Sequence, residues 1–368
     1  ELRTGDIRDL TPFEQTQCQV VEQNPNFPNE ILVTLNQRNK ALHDVYRLFL
    51  DSKKLELEAE NPGDVVGWLA DSKMKVRACQ AMNAQGEILL RTRAKADDEW
   101  KTFITWENED SMSSVISFTE NGKGLYLVDS RNANTLRLVE VNMETQDIKT
   151  IAEDVRYDIG GVVQHRMKND IQAVQILKER VHWTVLDEAI RADFEKAMAV
   201  HDGDFSLISR DQKDRIWLIG FNTDSGSIPY YMFNRETQEV HFLFSNRPAL
   251  EKYKLAPMKP ISFKARDGLV IEGYITLPVN TDPKTVPLIL NVHGGPWVRD
   301  TWGYHPEAQW MASNGYACMQ VNYRGSTGYG KDFVNAGNRE WSRKMHDDLV
   351  DAVEWAKEEG YYDGIRCA

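Results

Sequence analysis

The chain has 368 residues, enough for two domains at the usual size of about 100–200 residues each. Its net charge of −12 comes from interspersed acidic and basic residues, which argues against nucleic acid and anionic lipid as main partners. No apolar run approaches the ~18 residues that span a bilayer, and four scattered cysteines with no C-x-x-C pair make neither a disulfide framework nor a zinc signature.

The opening "ELRTGDIRDL" lacks the charged start and apolar core of a signal peptide and lacks an initiator Met, which leaves cytoplasm and periplasm equally open. Within it, "TGDIRDL" (residues 4–10) aligns with "TQDIKTI" (residues 145–151). It therefore predicts the turn and last strand of a repeat whose earlier strands lie outside the chain.

That repeat is visible further on. "NMETQDIKTI" from Asn142 and "NRETQEVHFL" from Asn234 share Asn, Glu, Thr and Gln at an offset of 92, twice 46. Upstream, "GLYLVD" at Gly124 matches "RIWLIG" at Arg215, and Asp51 in "YRLFLDSKKLEL" falls in the equivalent turn one pair of repeats earlier. Each copy reads as a short strand rich in β-branched and aromatic residues, a polar turn and another strand. A unit near 45 residues with several short strands is a β-propeller blade, which buries both faces of its sheet only by stacking on neighbours. Residues 29–253 then hold about five blades of a partial propeller, with "DEAIRADFEKAM" a helical departure inside the fourth. A β-sandwich with chance similarity is the alternative.

After "RPALEKYKLAPMKP" the period changes, which predicts a propeller over 1–253 and a second domain over 254–368. "ISFKARDGLVIEGYITLP" is a hairpin turning at Asp267-Gly268. "PLILNV" and "YACMQVNYRG" read as buried strands, with "HPEAQWMASNG" a helix ended by Gly315 between them. "NREWSRKMHDDLVDAVEWAKEEG" predicts a long helix with Trp341, Met345, Leu349 and Val353 on one stripe, widened by Ala352 and Ala356 and ended by Gly360. "DGIRCA" starts another strand. A hairpin and then strand–helix–strand–helix–strand is the first half of a doubly wound α/β sheet.

"NVHGGPW", "VNYRGSTGYGKDF" and "WSRKMHDDLVDAVEWA…DGIR", in that order, resemble the prolyl oligopeptidase family of serine peptidases. The likeness is greatest to its acylaminoacyl-peptidase and dipeptidyl-peptidase-like branches. It implies a β-propeller followed by the N-terminal half of an α/β-hydrolase domain. It also implies that Asp363, Arg366 and Ala368 belong to the strand delivering the Gly-x-Ser-x-Gly elbow, with the serine about five residues beyond Ala368. No G-x-S-x-G occurs in the sequence. Ser326 in "RGSTG" is followed by a glycine loop instead of a helix. The triad order Ser, acid, His excludes His293, His305 and His346 as its base, along with the five propeller histidines.

The resemblance implies one site element within the chain. Gly295 is the expected oxyanion-hole donor, Gly294 permits close backbone approach, and Trp297 is a candidate for the substrate cleft. Structural alternatives are a tight turn for the glycines and interface packing for Trp297; Arg324 reads as a structural ion-pair residue. No H-E-x-x-H, EF-hand loop or Cys/His cluster is present, so neither metal nor other cofactor is expected. The expected partners are a short peptide or ester substrate and the remainder of the hydrolase domain, with no nucleic acid and no membrane. No segment maps onto the paired glutamates with which a dipeptidyl peptidase holds its substrate's amino terminus. The competing reading is a non-catalytic propeller binding module with a degenerate hydrolase segment. It is disfavoured because a half-built parallel sheet leaves an open edge and an uncovered apolar face.

Overall fold

The computed structural model describes residues 4–95 and 97–368. Five antiparallel meander sheets run along the chain: I (residues 18–59), II (65–106), III (114–152), IV (159–185) and V (204–245). Their first strands begin at Cys18, Val65, Ser114, Ile159 and Asp204, at intervals of 47, 49, 45 and 45 residues. The propeller-blade period is therefore real, and the first sheet starts earlier than residue 29. Sheets I, II, III and V have four strands among the described residues, and sheet IV has three.

The repeated turn is reproduced atom by atom. Asn142 and Asn234 each end the third strand of their sheet, Arg137–Asn142 and Pro229–Asn234. The Asn142 Oδ1 accepts the N–H groups of Glu144 and Thr145 at 2.8 and 3.0 Å, and Asn234 Oδ1 those of Glu236 and Thr237 at 3.0 and 3.2 Å. Gln146 and Gln238 then take the left-handed conformation, φ 63° and 62°. In sheet I, Lys53 (φ 59°) fills that position and its N–H returns to Phe49 O. Phe49, not Asp51, is thus the counterpart of Asn142. Asp51 lies in the expected turn, two residues further on.

At the N-terminus the same turn chemistry survives without its strand. Thr4 Oγ1 donates to Asp6 Oδ2 at 2.9 Å, as Thr145 Oγ1 does to Asp147 Oδ2 at 2.6 Å. No strand forms over residues 5–13, and Ile7 is 97 % exposed. A fourth strand needs a third strand's backbone to pair with, and none is beside it among the described residues.

Two compact units divide the chain. The first comprises residues 1–133, 137–152 and 164–170, the second 134–136, 153–163 and 171–368. In the first, Leu32, Val45 and Val76 join sheets I and II, while Leu90, Trp106, Phe118 and Leu127 join sheets II and III. In the second, Ala173, Phe205, Trp217, Phe221 and Phe233 form the core of sheets IV and V. The segment read as a helical departure is the helix Glu188–Met198, standing where a fourth strand of sheet IV would be. Asp187 caps it by accepting the Ala189 N–H, and Ile190, Phe194 and Ala197 enter the core.

The α/β segment lies in the second unit. Strands Met258–Lys264 and Val270–Thr276 pair as the predicted hairpin, Ala317–Asn322 pairs antiparallel to the second, and Leu288–Asn291 pairs parallel to Ala317–Asn322. A parallel bridge between Leu288 and Cys367 begins a further strand. Helices Pro306–Ser313 and Lys344–Glu358 follow the two parallel strands. The long helix starts later than its sequence stripe suggests. Ser342 is left-handed (φ 56°), so Trp341 lies outside the helix and is 72 % exposed. The buried face is Met345, Asp348, Ala352 and Ala356, with Leu349 and Val353 half-buried. A short helix, Lys331–Asn335, follows the glycine segment and was not apparent in the sequence.

Candidate active site

The segment His293-Gly294-Gly295-Pro296-Trp297 leaves the C-terminal end of the parallel strand Leu288–Asn291. In open α/β sheets this end of the strands is where ligands bind. Gly294 and Gly295 are both exposed. Among the described residues, neither of their N–H groups donates to a carbonyl. Gly295 has φ 127°, and a Cβ there would sit 2.9 Å from Trp297 N and 3.1 Å from Val298 Cγ2. Only glycine is accommodated without strain. At Gly294 a Cβ would meet nothing within 4 Å, so that position is open and sterically undemanding. Trp297 is 58 % exposed beside them.

The loop is held from beneath by His293, Tyr323 and Ser326. The His293 and Tyr323 rings stack at 4.7 Å, and Tyr323 OH donates to His293 O at 3.0 Å. His293 Nε2 lies 3.1 Å from Ser326 Oγ. This resembles a serine–histidine pair, but its chemistry is structural. Ser326 is fully buried and its hydroxyl donates to Tyr323 O at 2.6 Å, so its one proton is already committed. His293 Nδ1 also lies 2.9 Å from Gly294 O, so both ring nitrogens are engaged in contacts that hold the loop.

Arg324 has the structural role expected of it. It is 3 % exposed and forms two-pronged pairs with Asp348 and Asp267. Its guanidinium pulls the Asp267 carboxyl down to about 2. Asp300 sits past the loop, its N–H donating to Asn322 Oδ1 at 2.7 Å, and burial pushes its carboxyl up. Asp363 lies in a turn, its Oδ1 accepting the Ile365 and Arg366 N–H groups, and beyond it Arg366 O and the Ala368 N–H bond to Leu288 on either side of the Cys367 bridge. Among the described residues no group of three or more His, Cys, Asp or Glu is placed to hold a metal, and no helix is long and apolar enough to cross a membrane.

A cavity of about 790 Å³ lies away from Gly295. It runs beside strand Leu288–Asn291 and is lined by Leu288, Ile289, Trp310, Met311, Tyr316 and Cys367. Its walls are mostly apolar, and burial pushes the thiol of Cys367 up, toward its unreactive protonated form.

Residues 302–368 match the Prolyl oligopeptidase family. The chain is 40 % identical to dipeptidyl aminopeptidase BIII of Pseudoxanthomonas mexicana, over 98 % of this chain and 53 % of the relative. It is 27 % identical to dipeptidyl peptidase family member 6 of Caenorhabditis elegans, over 90 % of this chain and 49 % of the relative. The chain thus spans about half the length of these curated relatives. Among solved structures, a puromycin-hydrolyzing peptidase of Mycobacterium tuberculosis superposes with a TM-score of 0.68 at 13 % identity, over 96 % of this chain and 58 % of that one. A puromycin hydrolase gives 0.67 at 14 % identity, over 96 % and 57 %. At such identities the structures speak for the fold alone: blade-like sheets leading into an α/β-hydrolase segment. The motifs, the family match over residues 302–368 and the 40 % identity along 98 % of this chain agree, and the chain belongs to the prolyl oligopeptidase family.

Proposed function

We propose that the protein containing this chain is a serine peptidase that cleaves short peptides, or acyl and aminoacyl esters, through an acyl-enzyme. The observation that carries this reading is the exposed, unspent N–H of Gly295 in a glycine-only turn at the end of a parallel strand. Acyl transfer creates a negative oxygen that needs preplaced donors, one from the residue after the nucleophile and one from the HGG-type loop. Gly295 supplies the second, and Gly294 leaves room for the substrate carbonyl. Trp297, projecting beside them, offers an aromatic wall to the substrate.

In this reading residues 254–368 are the first half of the hydrolase domain. Serine, acid and histidine are contributed by chain beyond Ala368. Residues 1–253 are the propeller part and restrict access to short, unfolded substrates. The peptide substrate is supported by the dipeptidyl aminopeptidase relative. A chromogenic ester tests the mechanism. The full-length protein should release a burst of product equal to its own concentration before steady turnover, the signature of acyl-enzyme accumulation. Turnover without a burst, together with no effect of substituting Gly295, would remove the basis of the proposal.

A further inference from the structure

The loop that carries Gly295 rests on the glycine segment of residues 325–330. Ser326 meets His293 as described, and the Thr327 N–H donates to Val298 O at 3.1 Å. The contact is close enough that a Cβ at Gly325 would fall 3.0 Å from Pro296 Cβ, and one at Gly328 would fall 2.5 Å from Arg299 Nη1. Four positions of the segment therefore touch the loop of residues 293–299. Ser326 and Tyr329 anchor the segment by their side chains, Tyr329 OH accepting from Arg299 and Asn322, while the backbone at Gly328 and Gly330 is held from behind.

Asp158 does this. Its N–H donates to Gly328 O at 3.1 Å, its Oδ2 accepts the Gly330 N–H at 3.3 Å, and its Oδ1 accepts the Leu136 N–H at 2.8 Å. The residue is 8 % exposed, so these bonds work in a poorly solvated place where a charged acceptor is strong. Asn134 completes the grip: its O accepts the Lys331 N–H at 2.8 Å and its Oδ1 the Asp332 N–H at 2.9 Å. Gly330 (φ 84°) must stay a glycine, because a Cβ would come within 2.7 Å of Asn134 Oδ1.

We propose that Asp158 is a positioning residue for the oxyanion loop, acting through the glycine segment to hold Gly295 in place. This rests on the function proposed above for Gly295. Asp158 touches neither substrate nor reacting atoms. It sets where the loop's support lies, and a displacement of 1 Å at a reacting centre can cost about a hundredfold in rate.

Asp158→Asn tests this while keeping size and burial. One carboxylate oxygen becomes an NH₂ that must face an N–H donor, so one bond is lost and a donor–donor conflict appears. Asp44→Asn, at a fully buried carboxylate of sheet I that holds Arg38 and the Asn61 N–H, is the control for general destabilisation. In the full-length protein, Asp158→Asn should speed hydrogen exchange at Val298 and Thr327, whose N–H groups are bonded within this contact, by about tenfold, and Asp44→Asn should not. In the full-length protein it should lower kcat about tenfold with KM within about twofold of the parent. Unchanged exchange, or a kcat no lower than that of Asp44→Asn, would overturn the proposal. A parent protein without acyl-enzyme activity would instead overturn the function proposed for Gly295, and the exchange result would still decide whether Asp158 holds the loop.

Discussion

Arg324 and Asp348 form an ion pair with both side chains withdrawn from water, 4 % and 0 % exposed, at 2.6 Å between Nη2 and Oδ1. The Arg324 N–H donates to the same carboxylate at 2.9 Å. This pair fastens the helix Lys344–Glu358 to the start of the glycine segment. Removing Arg324 strands the Asp348 charge in the interior, at a cost of about 3–5 kcal/mol, whereas removing Asp348 leaves Arg324 its pair with Asp267. Arg324→Met should therefore lower the urea midpoint sharply, and adding Asp348→Leu should recover most of the loss. An Arg324→Met variant as stable as the parent would contradict this.

Asp267 predicts an acid limb. Hydrogen bonding to Arg324 holds its carboxyl at about 2, below the unfolded value near 3.9. A depressed acid stabilises the fold above its unfolded pKa, and that contribution fades as pH falls from about 4 through about 2. The difference in urea midpoint between parent and Asp267→Asn should be constant above pH 5 and close on approach to pH 2. A difference that persists at pH 2 would show that Asp267 acts through its shape and not its charge.

The repeated turn predicts a contrast between equivalent residues. Gln146 is exposed and left-handed, so Gln146→Gly should relieve backbone strain and stabilise the protein by roughly 0.5–1 kcal/mol. Gln238 has the same conformation, but its Nε2 donates to Asp193 Oδ1 and Arg235 O, both at 2.6 Å. Gln238→Gly should therefore be neutral or destabilising. Equal thermal shifts for the two variants would mean that backbone strain is not what distinguishes them.

Much of the fold was legible because it is written twice. Asn142 and Asn234 do identical work 92 residues apart, and comparing the copies located the turns, the strands and the period. Where only one copy exists, local pattern misleads. Trp341 continues an apolar stripe, yet the left-handed Ser342 ends the helix before reaching it. Asp348 looks like a surface residue, yet it is buried because Arg324 comes to meet it. The family motifs pointed to Gly295, whereas Asp158 has no local signal at all: its partner Gly330 lies 172 residues away in sequence. Contacts of that span come only from the folded chain.

Gly295 and Trp297 should separate rate from binding in the full-length protein. Gly295→Ala places a Cβ against Trp297 N at a φ that L-residues rarely adopt, and should turn away the N–H proposed as the oxyanion donor. It should cost about 10²–10³ in kcat. Trp297→Ala removes an exposed aromatic wall and should raise KM with little change in kcat. A folded Gly295→Ala protein with normal kcat would exclude the loop from the chemistry.

We propose that this chain holds the oxyanion loop of a serine peptidase whose nucleophile follows it. Mapping a fluorophosphonate adduct by mass spectrometry tests it most directly. The full-length protein should carry one adduct, on a serine shortly after Ala368 and within a Gly-x-Ser-x-Gly sequence, and the 368-residue chain should carry none. Stoichiometric labelling of Ser326 or any other residue up to Ala368 would contradict the account.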